Sequence, residues 1–158
     1  MKIKEFLQFF NQLVKVSLIA VIGGLVTAPA VTDWYSTINK PSFNPPSVVF
    51  GPAWTFLFFL MAISAYILWG KAWDEKQYVK AMFVYNIQLG LNLLWSILFF
   101  GLKSPIAAFI EIIFLWGAIL YTIILFKRIS KESAILLVPY LLWVTFAAIL
   151  NLAIVLLN

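Results

Sequence analysis

The sequence predicts an all-α integral membrane protein, a compact bundle of five transmembrane helices with a long proline-rich first loop. Three observations carry that prediction. Apolar residues make up 64% of the chain and charged residues 11%, against about 45–50% and 25% in ordinary globular domains. Four windows, Val48–Gly70, Ala81–Leu102, Pro105–Phe126 and Ala134–Leu157, run 22 to 24 residues with Glu111 as their single charge. As helices they are about 33–36 Å long, enough to cross a hydrocarbon core of about 30 Å with modest tilt. Between the later windows the connections are short, which makes consecutive helices antiparallel neighbours.

Helix 1 is expected over about 6–31. Its unbroken apolar run, Val16–Val31, is extended upstream by Leu13, Val14 and the Phe6–Phe10 segment. Lys15 then lies near an interface, where its stem can snorkel. Ala20, Gly24 and Ala28 form an i, i+4, i+8 ridge, with Gly23 and Thr27 alongside. Small-residue ridges let helices approach closely in lipid, and packing within the chain is favoured here over a dimer contact. The basic start, apolar run and Ala28-Pro29-Ala30 also have the outline of a signal peptide. Proline beside the would-be cut, with no soluble domain downstream, favours a retained span.

The segment over about 32–47 is expected to be a stiff lid. Five of the seven prolines fall between Pro29 and Pro52. Each fixes φ and pushes its predecessor toward extended backbone, so Lys40-Pro41 and Pro45-Pro46 oppose a regular helix. Long ordered loops in compact folds usually cover something.

Helix 2, about 48–70, opens on Pro52 and carries Trp54, Phe58 and Met61 on one stripe. Trp69 and Trp73 suit an interfacial aromatic belt. Helix 3, about 78–102, is the most informative. Tyr85, Gln88, Asn92, Trp95, Ser96 and Phe99 recur at intervals of three or four and share a face. Amides turned to lipid would lose their hydrogen bonds, so that face points inward. It serves either interhelical hydrogen bonding or the polar wall of a ligand cavity, and residue types alone leave both open. Helix 4, about 105–127, holds Glu111, which is expected to be protonated or hydrogen-bonded to polar groups of helix 3 or 5. Trp116 can face lipid or core. Helix 5, about 134–157, presents Pro139, Tyr140, Trp143, Phe146, Ala147, Leu150 and Asn151 largely on one side, with Pro139 expected to bend it.

Nine of the eleven basic residues fall on the side shared by the N-terminus and the second and fourth connections. Only Lys40 and Lys103 lie opposite. The positive-inside rule puts the N-terminus in the cytoplasm and the lid and C-terminus outside. A bacterial plasma membrane is the expected location. The net charge of +5 reports topology, and no basic stripe with interleaved aromatics points to nucleic acid. Cysteine and histidine are both absent, which removes thiol nucleophiles, disulfides, zinc sites and the usual haem axial ligands. A lone carboxyl without a partner acid is not a hydrolytic site.

Trp34-Tyr35, Lys40-Pro41, Pro45-Pro46, Phe50, Pro52 and Trp54-Thr55 together resemble the first-loop signature of the translocator protein family. These are the tryptophan-rich sensory proteins, also called TspO/MBR or peripheral-type benzodiazepine receptor homologues. Asn92-Leu93-Leu94-Trp95-Ser96 with Phe99-Phe100 is similar to that family's third helix. Pro139-Tyr140-Leu141-Leu142-Trp143 through Leu150-Asn151 is similar to its fifth. The resemblance implies a cavity inside the bundle that binds porphyrins, such as protoporphyrin IX and haem-type tetrapyrroles, and isoquinoline-carboxamide or benzodiazepine-type ligands. Carried over by motif, the site is Tyr35 and Pro45 from the lid and Trp54 and Phe58 from helix 2. Helix 3 adds Asn92, Trp95 and Ser96, and helix 5 adds Trp143, Ala147 and Leu150. Glu111 joins them as an intramembrane acid. No cofactor is required; a porphyrin is ligand or substrate. The implied role is transport, sensing or stress regulation. The alternative is an enzyme of light-dependent porphyrin degradation, with Trp54 and Trp143 as its redox indoles. A ligand-free structural membrane protein is a third reading, against which the stiff lid and polar interior stand. The resemblance also implies a homodimer. The family's cholesterol motif is not matched, because Leu150–Val155 contains neither tyrosine nor a basic residue.

Overall fold

The computed structural model describes residues 3–158; Lys2, part of the charge asymmetry above, lies outside the described residues. Six α-helices build five spans: α1 Ile3–Ala30, α2 Ser47–Lys71, α3 Glu75–Ser96, α4 Pro105–Ile129, α5 Lys131–Leu136 and α6 Val138–Leu157. All five spans are long and apolar enough to cross a membrane, and many large apolar side chains remain on their outer faces. That distribution suits a lipid solvent, where outward Leu, Ile and Phe cost nothing.

Single capping residues make the tight turns. Asp74 accepts hydrogen bonds from the Lys76 and Gln77 amides at the start of α3 (2.9 and 3.4 Å). Ser104 accepts from the Ala107 amide, with Pro105 opening α4. Ser130 closes α4 through its amide to the Phe126 carbonyl and caps α5 by accepting from the Ser133 amide. Each cap satisfies donors that would otherwise be orphaned at a helix start. Lys103, between α3 and α4, has φ of 53°, a left-handed conformation costing a side-chain-bearing residue about 1–2 kcal/mol. Lys103→Gly should therefore raise stability by about 0.5–1 kcal/mol after the glycine's own entropy cost, read as a higher unfolding temperature in detergent. A lower one would show that the turn is held by the lysine side chain.

Two spans end in π-helical turns, and the first of these carries its span past the predicted bound. α1 runs on through Val31–Tyr35 as a wide turn, so the loop starts at Ser36 and not at 32. Pro29 lacks the N–H for the helical ladder. The carbonyls beyond it are taken up by side chains: Thr32 Oγ1 donates to the Pro29 carbonyl (2.9 Å) and Ser36 Oγ to the Thr32 carbonyl (2.7 Å). α3 likewise widens over Ile97–Gly101, with the Leu102 amide bonded to the Ile97 carbonyl (2.8 Å). The predicted fifth span is bent, as Pro139 implies, but the break falls at Leu137. Pro139 stands at the second position of α6, and α5 begins three residues earlier than expected.

α4 packs against both α3 and α6, while α1 lies against α2 and α3, and α5 against α2. The half of the bundle away from the lid is solid. Met61, Ala65, Leu68, Tyr85, Phe126 and Leu137 are buried there. Tyr85 stacks on Phe126 (5.7 Å between ring centroids) and its hydroxyl donates to the Met61 carbonyl (3.1 Å). The lid-side half is not filled.

Candidate functional site

That half encloses a cavity of about 590 Å³, walled by α1, α2, α3 and α6. Parts of the inward stripes predicted from periodicity converge here, while Met61, Tyr85, Gln88, Pro139, Tyr140 and Phe146 of the same stripes do not line it. Tyr35, Trp54, Phe58, Asn92, Trp95, Ser96, Trp143, Ala147 and Leu150 all line it.

Pro45 and Glu111 do not. Pro45 stays in the loop, where its carbonyl accepts a hydrogen bond from Asn44 Nδ2 (3.1 Å). Glu111 belongs to α4, which contributes no residue to the wall because it stands behind α3 and α6. Its carboxyl is buried, and neither oxygen has a hydrogen-bond partner among the described residues. The expected bond to polar groups of neighbouring helices is therefore not formed. Tyr35, predicted as part of the loop, sits instead on the π-helical extension of α1.

The aromatic side chains around the cavity form three groups. Trp95 stacks on Phe99 (5.1 Å, 20° between planes), and Trp34 meets the same ring edge-on. Trp54 packs against Phe58 and edge-on against Tyr140, while Trp143 contacts Phe50 and Phe146. Offset and edge-on pairs such as these are the arrangements that the ring quadrupole favours. Trp116, unassigned by sequence, is exposed and donates its indole N–H to Thr145 Oγ1 (2.8 Å).

Several polar groups that sequence offers to a ligand are already engaged. Asn92 Nδ2 donates to the Tyr140 hydroxyl (3.0 Å), and Trp95 Nε1 donates to Asn151 Oδ1 (3.1 Å). Asn151 Nδ2 in turn donates to the Pro105 carbonyl (2.8 Å), tying α6 to α4. Lys40 Nζ donates to the Tyr35 and Ile38 carbonyls (2.6 and 2.9 Å). Among the described residues, the indole N–H groups of Trp54 and Trp143 donate to no protein acceptor. With the hydroxyls of Thr27, Ser47 and Ser96, which likewise line the cavity, they are the available donors on this apolar wall.

Sequence reasoning missed the α1 side of the cavity. Ala20, Gly24 and Ala28 were expected to pack against another helix; all three line the hollow, and Ala20 also packs against the core. Gly23 is the close-packed one: a Cβ there would stand 3.6 Å from Ser96 Oγ. Asn151, which orients Trp95, also lies on the wall; its place on the helix-5 stripe was the available signal.

The lid is fastened over the lid-side end. Tyr35 Oη donates to Asn44 Oδ1 (2.6 Å). The Asn39 amide and carbonyl pair with the side-chain amide of Asn158 (3.0 Å each), and Asn39 Nδ2 donates to the Leu157 carbonyl (3.2 Å).

Comparison with known proteins agrees with this architecture. The TspO/MBR family model matches residues 12–157. The chain is 47% identical to the tryptophan-rich protein TspO of Archaeoglobus fulgidus over 154 residues, covering 98% of this chain and 99% of that one. It is 43% identical to the protein of the same name from Chlorobaculum tepidum, covering 85% and 86%. The translocator protein of Homo sapiens is 35% identical over 75% of this chain and 70% of its own. A five-span bundle with an aromatic cavity under a proline-rich loop, matched nearly end to end, belongs to an integral membrane protein of the TspO/MBR family.

Proposed function

We propose that this protein is a membrane receptor for tetrapyrroles, protoporphyrin IX and haem-type macrocycles among them. It takes isoquinoline-carboxamide or benzodiazepine-type molecules in the same cavity, and it serves tetrapyrrole transport, sensing or stress regulation. The observation that carries the reading is the cavity itself: about 590 Å³ walled by Trp54, Trp95 and Trp143 from three helices. Its size falls within the roughly 300–1,000 Å³ of small-molecule sites, which are mostly apolar with a few placed polar groups. A flat conjugated ring gains offset stacking on such walls, and the free indole N–H groups can meet its carboxylates. The lysine asymmetry supports a cytoplasmic N-terminus. The homodimer that the resemblance implies belongs to the same proposal.

Dark titration with protoporphyrin IX tests it. Tryptophan fluorescence should be quenched to saturation, and an isoquinoline carboxamide should compete. A protein whose emission does not respond to porphyrin would end the reading. The enzymatic alternative rests on Trp54 and Trp143 lining one hollow, and it requires dioxygen as the oxidant of the excited macrocycle. Illumination separates the two: protein-dependent bleaching lost in Trp54→Phe and Trp143→Phe, with affinity kept, supports chemistry, and bound porphyrin that does not bleach supports a receptor.

A further inference from the structure

The cavity wall breaks through to the outside of the bundle in one region. Five lining residues are exposed: Gly24 and Ala28 on α1, and Ser47, Gly51 and Thr55 on α2. All the other lining residues are buried or half-buried. The opening therefore lies between α1 and the first turns of α2, and no side chain there is larger than threonine. A Cβ added at Gly24 or Gly51 would meet nothing within 4 Å. Val21, Leu25, Val48, Phe56 and Phe59 surround it as exposed apolar side chains, the signature of a surface facing acyl chains and not water. Gly24 lies eleven residues before the end of the first span at Tyr35, and Ser47, Gly51 and Thr55 lie within the first nine residues of α2. At 1.5 Å per residue the gap runs from the rim to about 16 Å below it, along the lid-side leaflet.

The lid, by contrast, is tied down at several points. Asn39 is held to the end of α6 by three hydrogen bonds. Tyr35 and Asn44 bridge the loop to the top of α1, and Lys40 is tied to carbonyls of its own turn.

We propose that the ligand reaches this cavity sideways, from the lid-side leaflet through the gap between α1 and α2, and not through the lid. The proposal rests on the receptor reading above and narrows its ligand class. The molecule is a planar amphiphile already dissolved in the membrane, its rings at acyl depth and its carboxylates at headgroup level. Small residues at the gap let a thin ring edge pass between two helices, while the lid keeps water from the stacked aromatics beneath it.

Stopped-flow quenching of protein reconstituted in vesicles, with protoporphyrin IX delivered from the bilayer, tests the route. Gly24→Leu and Gly51→Leu place a side chain at the gap, at positions where a Cβ meets nothing within 4 Å. Each should slow association and dissociation alike, by about tenfold, the pattern of a narrowed passage rather than a weakened site. Gly117→Leu, on the exposed face of α4 with equally open surroundings, should leave both rates as they were. Asn39→Ala, which removes the side-chain bond of the latch, should leave them unchanged too. The route is overturned if the glycine variants keep wild-type rates, if they lose affinity through faster dissociation alone, or if Asn39→Ala is the change that speeds association. Wild-type protein that shows no quenching at equilibrium would instead remove the receptor reading, and the route with it.

Discussion

On the proposed receptor reading, porphyrin affinity should fall about five- to 150-fold when Trp54 and Trp143 are both replaced by leucine, because two ring pairs worth about 0.5–1.5 kcal/mol each would be lost. Both indoles line the cavity from different helices, so each offers its own ring face to one ligand. Leucine keeps the wall apolar but removes the π faces and the two unengaged N–H donors. Fluorescence of the porphyrin itself reads the affinity, since the protein emission changes with the substitution. Trp73→Leu, on an exposed residue after α2 and away from the cavity, supplies the control and should bind as the parent does. A double variant that folds and binds with parental affinity would place the ligand somewhere other than this hollow.

The second large effect concerns the floor. Asn92 Nδ2 donates to the Tyr140 hydroxyl at 3.0 Å, and both side chains are buried. Tyr140→Phe leaves that amide without its acceptor, and Asn92→Leu leaves the hydroxyl without its donor. Each should destabilise the bundle by about 1–3 kcal/mol, the cost of stranding a buried polar group. The double variant should cost clearly less than the sum, because removing both partners strands neither. Unfolding in detergent measures all four corners of the cycle. Strict additivity would mean that the bond contributes nothing and that Asn92 is held by packing.

The contrast between Asn92 and Glu111 shows where residue-level reasoning works. Both are buried polar groups in membrane spans. Asn92 lies on a stripe that also carries Trp95, Ser96 and Phe99, so its face could be assigned from spacing. Glu111 has no such company on α4. Its depth was legible, but its neighbours were not, and the fold puts it behind the wall. The cavity-lining role of the α1 ridge was missed for a related reason. Small residues are equally good at bringing backbones together and at leaving a space open, and local sequence carries no sign of which neighbour is missing.

By itself the sequence determined the five spans, the inward faces of the second, third and fifth, and the stiff loop between the first two. Those follow from apolar run length, helical period and proline chemistry, all of which act within one segment. Tertiary structure alone decided that these faces leave a hollow on the lid side, that α4 stays outside it, and that the wall opens between α1 and α2. Such features depend on how far apart separate helices stand. That distance is set by side chains from several spans at once, including the wide turns at Val31–Tyr35 and Ile97–Gly101, which no single segment specifies.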